Sequence, residues 1–261
     1  MRTHKGPGET GELNDPGGRL RLFVETPLRT GAKVVPGESQ AHYLLHVMRA
    51  RDGDAVRLFN GKDGEWRAHI SDVTRRSCAL ICDGQVANQD RVPDLWLAFA
   101  PIKKTPAEFL VQKATELGAA MLLPVLTERT VARRVNIERL HANAIEAAEQ
   151  SGRLSVPEIR EPESLAELLR AWPLERGLLF CDEAGDALSI GDALRRVDRH
   201  DQWGVLTGPE GGFSPSERHL IRQHPAVLPV TLGSRIMRAD TAALAALAVW
   251  QAILGDWHEG D

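Results

Sequence analysis

Two glycine-bearing loops near the C-terminus combine residue types that could hold a small molecule. Their sequences are Leu-Thr-Gly-Pro-Glu-Gly-Gly-Phe at 206–213 and Leu-Gly-Ser-Arg-Ile-Met-Arg-Ala-Asp-Thr-Ala at 232–242. Glycine permits tight turns and close approach of the backbone to a ligand. Each loop follows a short apolar run typical of a strand and leads into a predicted helix. Because ligands of α/β sheets bind at the carboxyl ends of strands, the two loops predict one shared small-molecule site.

The composition of these loops limits the class of ligand. No Gly-x-Gly-x-x-Gly follows a predicted strand, as a nicotinamide or flavin enzyme would require. Neither loop ends in the Gly-Lys-Ser/Thr of a triphosphate-binding loop, and the chain contains no Gly-x-Ser-x-Gly hydrolase elbow. The loops instead offer backbone donors and acceptors with little charge, which suits an adenosyl group better than a triphosphate.

The cysteines and histidines do not form a metal-ligand pattern. The three cysteines include no Cys-x-x-Cys pair, and only His42 and His46 have helical i,i+4 spacing. We therefore predict no metal site. Cys78 and Cys82 share one face of a strand-like run, which indicates packing in a core.

Helix signals follow both loops. After the first loop, Ser214-Pro215-Ser216-Glu217 has a capping serine, a proline at the first helical position and a glutamate at the third. The second loop ends at Asp240 or Thr241, and either residue could cap a helix that runs to Leu254, with Gly255 beyond its end.

Strands and helices alternate in the larger, C-terminal part of the chain. The predicted strands are 95–100, 121–126, 177–181, 204–207 and 226–232, and the predicted helices are about 106–117, 137–151, 164–171, 215–223 and 241–254. Such alternation predicts a mainly parallel sheet with helices on both faces.

The N-terminal part has β signals. The predicted strands are 19–25, 55–60, 65–71 and 77–82, with one helix at about 38–48. Short strands around one helix suggest a small barrel over 19–88. Residues 1–18 have almost no apolar content and predict a disordered tail. A polar linker at about 87–94 predicts the boundary of a second domain over 95–257.

Charge is unevenly distributed along the chain. Residues 19–90 contain 11 Lys and Arg against 9 Asp and Glu, and residues 95–153 contain 8 against 6, whereas residues 154–261 contain 10 against 17. The surplus of positive charge is mostly arginine, which suits phosphate and base contacts. Solvated surface charge explains the same numbers equally well.

The last predicted helix is apolar on nearly every face, so it must be buried. A subunit interface or the intramolecular core could supply that burial. The chain has no run of 18 apolar residues, and its N-terminus lacks the apolar core of a signal peptide. We therefore expect a soluble, cytoplasmic protein without membrane contact.

Motifs along most of the chain carry a family resemblance. They run in order from about Arg19 to Trp257, and this combination is highly specific. Besides the two loops, they are Arg21-Leu22-Phe23, His42 to Arg49, Lys103-Lys104, Glu108 to Gly118, Thr127-Glu128-Arg129 and Glu149-Gln150-Ser151-Gly152-Arg153. The chain resembles the bacterial ribosomal RNA small subunit methyltransferase E family, uridine-N3 methyltransferases of the SPOUT superfamily.

The resemblance implies a fold, a cofactor and partners. The fold is a PUA-like, RNA-binding barrel followed by a SPOUT domain whose mainly parallel sheet forms a trefoil knot, assembled as a homodimer through the C-terminal domain. The cofactor is S-adenosylmethionine. The residues that would bind it are Leu206, Gly208, Gly212, Leu232, Gly233, Ile236, Met237 and Thr241.

The reaction implied is methylation of N3 of a uridine (1498 in the usual bacterial count) in 16S ribosomal RNA of the assembled small subunit. Uridine N3 carries a proton, so the reaction needs a base or stabilisation of the uridinate. Arg153, Arg129 or Arg238 could stabilise an anionic oxygen, with Arg153 placed nearest the base. Glu210, Glu128 or Asp240 could accept the proton; many relatives have Glu where Asp240 stands, which weakens its case. Arg129 and Glu128 could instead form an ion pair.

RNA affinity is expected from the barrel, through Arg21, Arg49 and Arg51. Two alternative functions stay open. One is a SPOUT methyltransferase that acts on another RNA nucleotide. The other is a non-catalytic RNA-binding assembly module, although the intact glycine loops and the Gln150 to Arg153 motif argue against it.

Overall fold

The computed structural model describes residues 20–102, 104–132, 134–182, 187–197 and 202–257. The tail predicted at 1–18 lies outside these residues. The chain divides into two compact units. The N-terminal unit contains residues 20–90 together with Gly152–Ser155, and the C-terminal unit contains Arg91–Ser151 and the described residues from Val156 onward.

The N-terminal unit is built on one sheet. Its elements are strands β1 (Arg21–Phe23) and β2 (Lys33–Val34), helix α1 (Glu38–His42), a π-helical turn (Tyr43–Val47), and strands β3 (Ala55–Phe59), β4 (Glu65–Ser71) and β5 (Ala79–Ala87). The sheet order is β1-β3-β4-β5-β2, with β1 and β3 parallel and the other pairs antiparallel. Alternate side chains such as Val56, Leu58, Ala68 and Ile70 form its core.

Most sequence predictions for this unit are confirmed. The strand at 65–71 has the predicted bounds, and Cys78 and Cys82 are both buried in the core. The predicted helix at 38–48 changes to π-helical geometry at Tyr43. Strand β2 was not predicted, because it has only two residues and is defined by pairing with the distant strand β5.

The C-terminal unit alternates strands and helices, as predicted. Its strands are β6 (Asp94–Phe99), β7 (Met121–Leu126), β8 (Glu158–Ile159), β9 (Glu163–Ser164), β10 (Gly177–Cys181), β11 (Leu188–Ser189), β12 (Gln202–Thr207) and β13 (Val227–Thr231). Its helices are α2 (Lys104–Glu116), α3 (Ile137–Ser151), α4 (Leu165–Ala171), α5 (Ile190–Leu194), α6 (Pro215–Gln223) and α7 (Ala239–Ile253). No helix in the described part of the chain is long and apolar enough to cross a membrane.

The sheet of this unit runs β11-β13-β10-β12-β6-β7-β8, with β9 beside β7, and all its pairs are parallel. One face packs against α2, α3, α5 and α7, and the other packs against α4 and α6. Along β12, Trp203 and Val205 face the first core and Leu206 faces the second. The predicted architecture is therefore confirmed, and β10 lies between β12 and β13.

Helix α7 begins earlier than the sequence indicated. Its N-cap is Arg238, whose backbone is extended (φ −65°, ψ 154°), and Ala242 N donates to Arg238 O at 2.8 Å. The prediction that Asp240 or Thr241 caps this helix is wrong, since both lie inside its first turn. Its core face is buried, whereas the opposite face is partly exposed, so intramolecular packing accounts for one side of the helix.

Candidate functional site

A pocket lies at the carboxyl ends of three neighbouring strands, β10, β12 and β13. Three chain segments and one helix side chain line it: Cys181 and Asp182 at the end of β10; Thr207 to Glu210 with Gly212 and Phe213 at the end of β12; Thr231 to Met237 with Ala239 and Ala242 at the end of β13; and Arg218 of α6. The two glycine loops therefore line one pocket, which is the geometry that the predicted shared site requires. The sheet order explains why, because β10 is the single strand that lies between β12 and β13.

The first loop, 208–213, depends on its glycines. A Cβ atom at Gly208 would lie 2.8 Å from the Phe213 ring, which itself packs edge-on against Phe180 with 5.3 Å between ring centroids. Gly212 has φ of 64°, in the region that favours glycine, and its N–H donates to Pro209 O at 2.9 Å. The loop is thus a tight turn that brings its backbone to the pocket surface.

The second loop, 232–238, also has a conformational need for glycine. Gly233 has φ of 107°, and its N–H donates to Thr231 Oγ1 at 3.3 Å. Ile236 is 90 % exposed and lines the pocket with the partly buried Met237. An exposed isoleucine at a pocket offers apolar surface that a flat, partly apolar ligand could cover.

A third wall of the pocket was missed by the sequence analysis. Asp182 is 3 % exposed, and its carboxylate accepts hydrogen bonds from Arg218 and Arg222 of α6, with closest distances of 2.8 Å. Its backbone N–H donates to Val230 O at 2.9 Å, which ties β10 to β13. Burial of the thiol raises the pKa of Cys181 to about 12, so this wall carries no thiolate at neutral pH. The available signal was the predicted strand at 177–181, whose end belongs to the same sheet edge.

The loop after β7 is attached to the first glycine loop. Arg129 Nη1 donates to Gly211 O at 2.7 Å. The buried Glu217 accepts from Glu128 N at 2.8 Å through one carboxylate oxygen and from Ser214 N at 2.9 Å through the other. One carboxylate therefore holds the start of α6 and the backbone that carries Arg129.

Six of the eight predicted cofactor-binding residues line this pocket: Gly208, Gly212, Leu232, Gly233, Ile236 and Met237. The other two do not line it. Leu206 is fully buried in the core beneath the sheet edge, and Thr241 is exposed in the first turn of α7.

The predicted catalytic residues fall in different places. Glu210 is exposed and lines the pocket, and Arg129 contacts the same loop. Arg238 is exposed at the start of α7, with no side-chain capping bond. Arg153 belongs to the N-terminal unit, where its Nε donates to Ser155 Oγ at 3.2 Å.

The two other candidate acids make local hydrogen bonds. Glu128 Oε1 accepts from Ser216 Oγ at 3.1 Å, and Asp240 Oδ1 accepts from Thr241 N at 2.7 Å. Within the described part of the chain, no ion pair joins Glu128 to Arg129.

The three arginines predicted to bind RNA also differ in environment. Arg49 and Arg51 are exposed, and Arg49 has φ of 55°. The Arg21 side chain is only 11 % exposed and donates to Glu65 at 2.6 Å.

Known proteins resemble this chain over most of its length. An RNA methyltransferase domain family matches residues 88–251, and an RNA methyltransferase PUA domain family matches residues 35–81. The ribosomal RNA small subunit methyltransferase E of Rickettsia conorii is 32 % identical over 87 % of this chain and 93 % of its own. The protein of the same name from Synechocystis is 34 % identical over 90 % of this chain and 78 % of its own.

A solved structure also resembles this fold. The ribosomal RNA small subunit methyltransferase E of Neisseria gonorrhoeae, bound to S-adenosylmethionine, is 27 % identical and superposes with a TM-score of 0.83 over 92 % of this chain and 99 % of its own. The SPOUT class predicted for the C-terminal unit and the PUA-like class predicted for the N-terminal unit are thereby confirmed. The chain belongs to the ribosomal RNA small subunit methyltransferase E family of RNA-methylating enzymes.

Proposed function

We propose that this protein transfers the methyl group of S-adenosylmethionine to N3 of one uridine, position 1498 in the usual bacterial count, of 16S ribosomal RNA in the assembled small subunit. The observation that carries the proposal is the convergence of both glycine loops on one pocket at the carboxyl ends of β10, β12 and β13. Family membership supports the small-subunit RNA as substrate.

The residues around the pocket fit this cofactor. Ile236 and Met237 provide apolar surface for an adenine ring, and the backbone of both glycine loops provides hydrogen-bonding groups for its edge. Gly208 has no side chain beside the Phe213 ring, and a Cβ atom at this position would displace the ring. Leu206 supports the first loop from the core beneath it, without lining the pocket.

The reaction requires that the methyl group be aligned with uridine N3 and that the N3 proton be removed. Bound S-adenosylmethionine supplies an electrophilic methyl group on a sulfonium sulfur, and the S–C bond breaks with its electron pair left on sulfur. Glu210 is our candidate for the acceptor of the N3 proton, because of the three candidate acids it is the one that lines the pocket. Uridine N3 then forms the new bond to carbon with the electron pair of its former N–H bond.

Positive charge stabilises the uridinate that this step creates. Arg129 is held by Gly211 O, one residue from Glu210, so a cation and the proton acceptor belong to one connected loop pair. Arg153 is proposed to contact an oxygen of the base. Arg238, exposed beside the second loop, is an additional cation for the RNA.

The exposed side chains of Arg49 and Arg51 are proposed to contact RNA phosphates. The partly exposed face of α7 is proposed to form a homodimer interface, which would complete the burial of an apolar helix. The reaction would take place in the cytoplasm, where small subunits are assembled.

Mass mapping of 16S ribosomal RNA tests the proposal. RNA from a strain that lacks this gene should lose one methyl group at uridine N3, and the purified protein should restore it on isolated small subunits. Methylation of a carbon or of a ribose oxygen would reject the reaction. Calorimetry with S-adenosylmethionine should show binding, and absence of binding would favour the non-catalytic assembly module.

The role of Arg153 has its own test. An Arg153→Ala variant should keep its cofactor affinity and lose most methyl transfer to isolated small subunits. Full activity of that variant would remove Arg153 from the reaction.

A further inference from the structure

Arg21 has an environment that differs from that of an RNA-binding surface arginine. It lies in β1, opposite Arg57 of the parallel strand β3. Its Nε donates to Glu65 Oε1 at 2.6 Å, and its guanidinium carbon lies 4.6 Å from the centroid of the Phe59 ring. With 11 % of the side chain exposed, the guanidinium is directed into the unit and not toward solvent.

The same guanidinium holds a loop that is distant in sequence. Arg21 Nη2 donates to Gly152 O at 3.1 Å and to Arg153 O at 3.0 Å. The loop Gly152–Ser155, which we call the arginine loop, belongs to the N-terminal unit, whereas the helix α3 that precedes it in the chain belongs to the C-terminal unit. Gly152 has φ of 82°, so the chain turns sharply just where Arg21 contacts it.

Two carbonyls that accept from one nitrogen fix the directions of two successive peptide planes. The side chain of Arg153 leaves the backbone between those planes, so its starting direction is set by Arg21. Glu65 in turn holds Arg21, and it is itself only 13 % exposed. A lysine at this position carries all its donors on one nitrogen, so it cannot reproduce the planar fork in which Nε bonds the carboxylate and Nη2 bonds both carbonyls.

We infer that Arg21 is a positioning residue, which orients the arginine loop so that Arg153 can contact the RNA. The inference rests on the proposed role of Arg153 in methyl transfer. It replaces the expectation that Arg21 itself contacts RNA phosphates.

Variants of Arg21 can be compared with a closely matched control. Arg57 also pairs with Glu65, at 3.2 Å, and lies beside Arg21 in the sheet, but its side chain is 37 % exposed. Arg57→Ala therefore removes the same charge from the same carboxylate, without removing the two bonds to the arginine loop. Arg21→Ala and Arg21→Lys remove those bonds, and the lysine variant keeps the charge.

The assay measures methyl transfer to isolated small subunits that lack the modification, with the full-length protein. We expect kcat to fall at least tenfold in both Arg21 variants and less than threefold in Arg57→Ala. Cofactor affinity should stay within twofold. The salt dependence of RNA binding should be unchanged, whereas loss of a phosphate contact would reduce its logarithmic slope by about 0.7 to 0.9.

A double variant separates positioning from an independent role. If Arg21 acts through Arg153, the losses in Arg21→Lys and Arg153→Ala should not multiply when they are combined. Multiplying losses, a reduced salt slope, or full activity of Arg21→Lys would each overturn the inference. If Arg153→Ala itself has full activity, the proposed role of Arg153 fails first; if Arg153→Ala is inactive and Arg21→Lys is active, only the present inference fails.

Discussion

Replacing Glu217 with alanine should weaken binding at the proposed cofactor pocket and destabilise the C-terminal unit. Glu217 is 7 % exposed at the third position of α6. Its carboxylate accepts the N–H groups of Ser214, at 2.9 Å, and Glu128, at 2.8 Å. Alanine would leave both N–H groups without this acceptor, one of them in the loop that carries Arg129.

The magnitude follows from those two bonds. A buried N–H group that loses its acceptor costs about 1–3 kcal/mol, so two such groups cost about 4 kcal/mol together, and access of water to the part-buried Glu128 N–H lowers this to about 3 kcal/mol. For a unit of this size each kcal/mol shifts Tm by about 2–4 °C, which gives a decrease of about 6–12 °C. If about half of this free energy holds the loops in their binding geometry, its loss weakens cofactor binding by about 1.5 kcal/mol, which is about tenfold in affinity.

The chain offers a matched control in α4. Ser164 and Glu167 form the same capping box, but Glu167 is exposed, and within the described residues its carboxylate accepts hydrogen bonds from Ser164 alone. Scanning calorimetry and cofactor titration compare the two variants. The Tm decrease of Glu167→Ala should be less than half that of Glu217→Ala, and the cofactor affinity of Glu167→Ala should be unchanged. Equal Tm decreases, or unchanged affinity in a folded Glu217→Ala protein, would refute the reasoning.

Three further perturbations have defined outcomes. Gly208→Ala places a Cβ atom 2.8 Å from the Phe213 ring, so the ring must move, and titration should show at least about a tenfold loss of S-adenosylmethionine affinity; native affinity would exclude this loop from the cofactor site. Replacing the exposed Arg49 and Arg51 together by alanine should lower the salt slope of RNA binding by about 1.4 to 1.8, and an unchanged slope would mean that neither contacts phosphate. The pKa of Cys181 is raised to about 12, so above pH 9 its thiol ionises in the unfolded chain before it ionises in the folded one. The free energy of unfolding should therefore fall as the pH rises from about 9 to 12, by at most about 1.4 kcal/mol per pH unit from this group. Urea unfolding at pH 8 and pH 10 should show a smaller fall in Cys181→Ala than in the unmodified protein. An identical fall in both would exclude the thiol as its source.

Local signals in the sequence predicted the long elements of the fold. Helix α6 has its predicted bounds because its start is specified within four residues, by the capping Ser214, Pro215 and Glu217. The strand at 121–126 and the helix at 137–151 also have the predicted bounds. Such elements are determined by hydrophobic periodicity and caps, which involve neighbours in the chain.

Elements that depend on distant partners were not predicted. The two-residue strands β2, β8, β9 and β11 exist through pairing with other strands, and none carries a periodic pattern of its own. The start of α7 was misplaced for a related reason. Asp240 has a good capping side chain, but the path of the chain from β13 makes Arg238 the first residue to accept a helical hydrogen bond.

The candidate site shows the same division. The sequence by itself predicted that the two glycine loops at strand ends meet at one pocket, since glycine content and strand–loop–helix order are local properties. Only the tertiary structure showed that Asp182 forms a third wall, because β10 lies between β12 and β13. Only the tertiary structure showed that Arg21 holds the carbonyls of Gly152 and Arg153, more than 130 residues away in the chain. Sheet order and long-range hydrogen bonds follow from how the whole chain packs, and no short stretch of sequence contains that information.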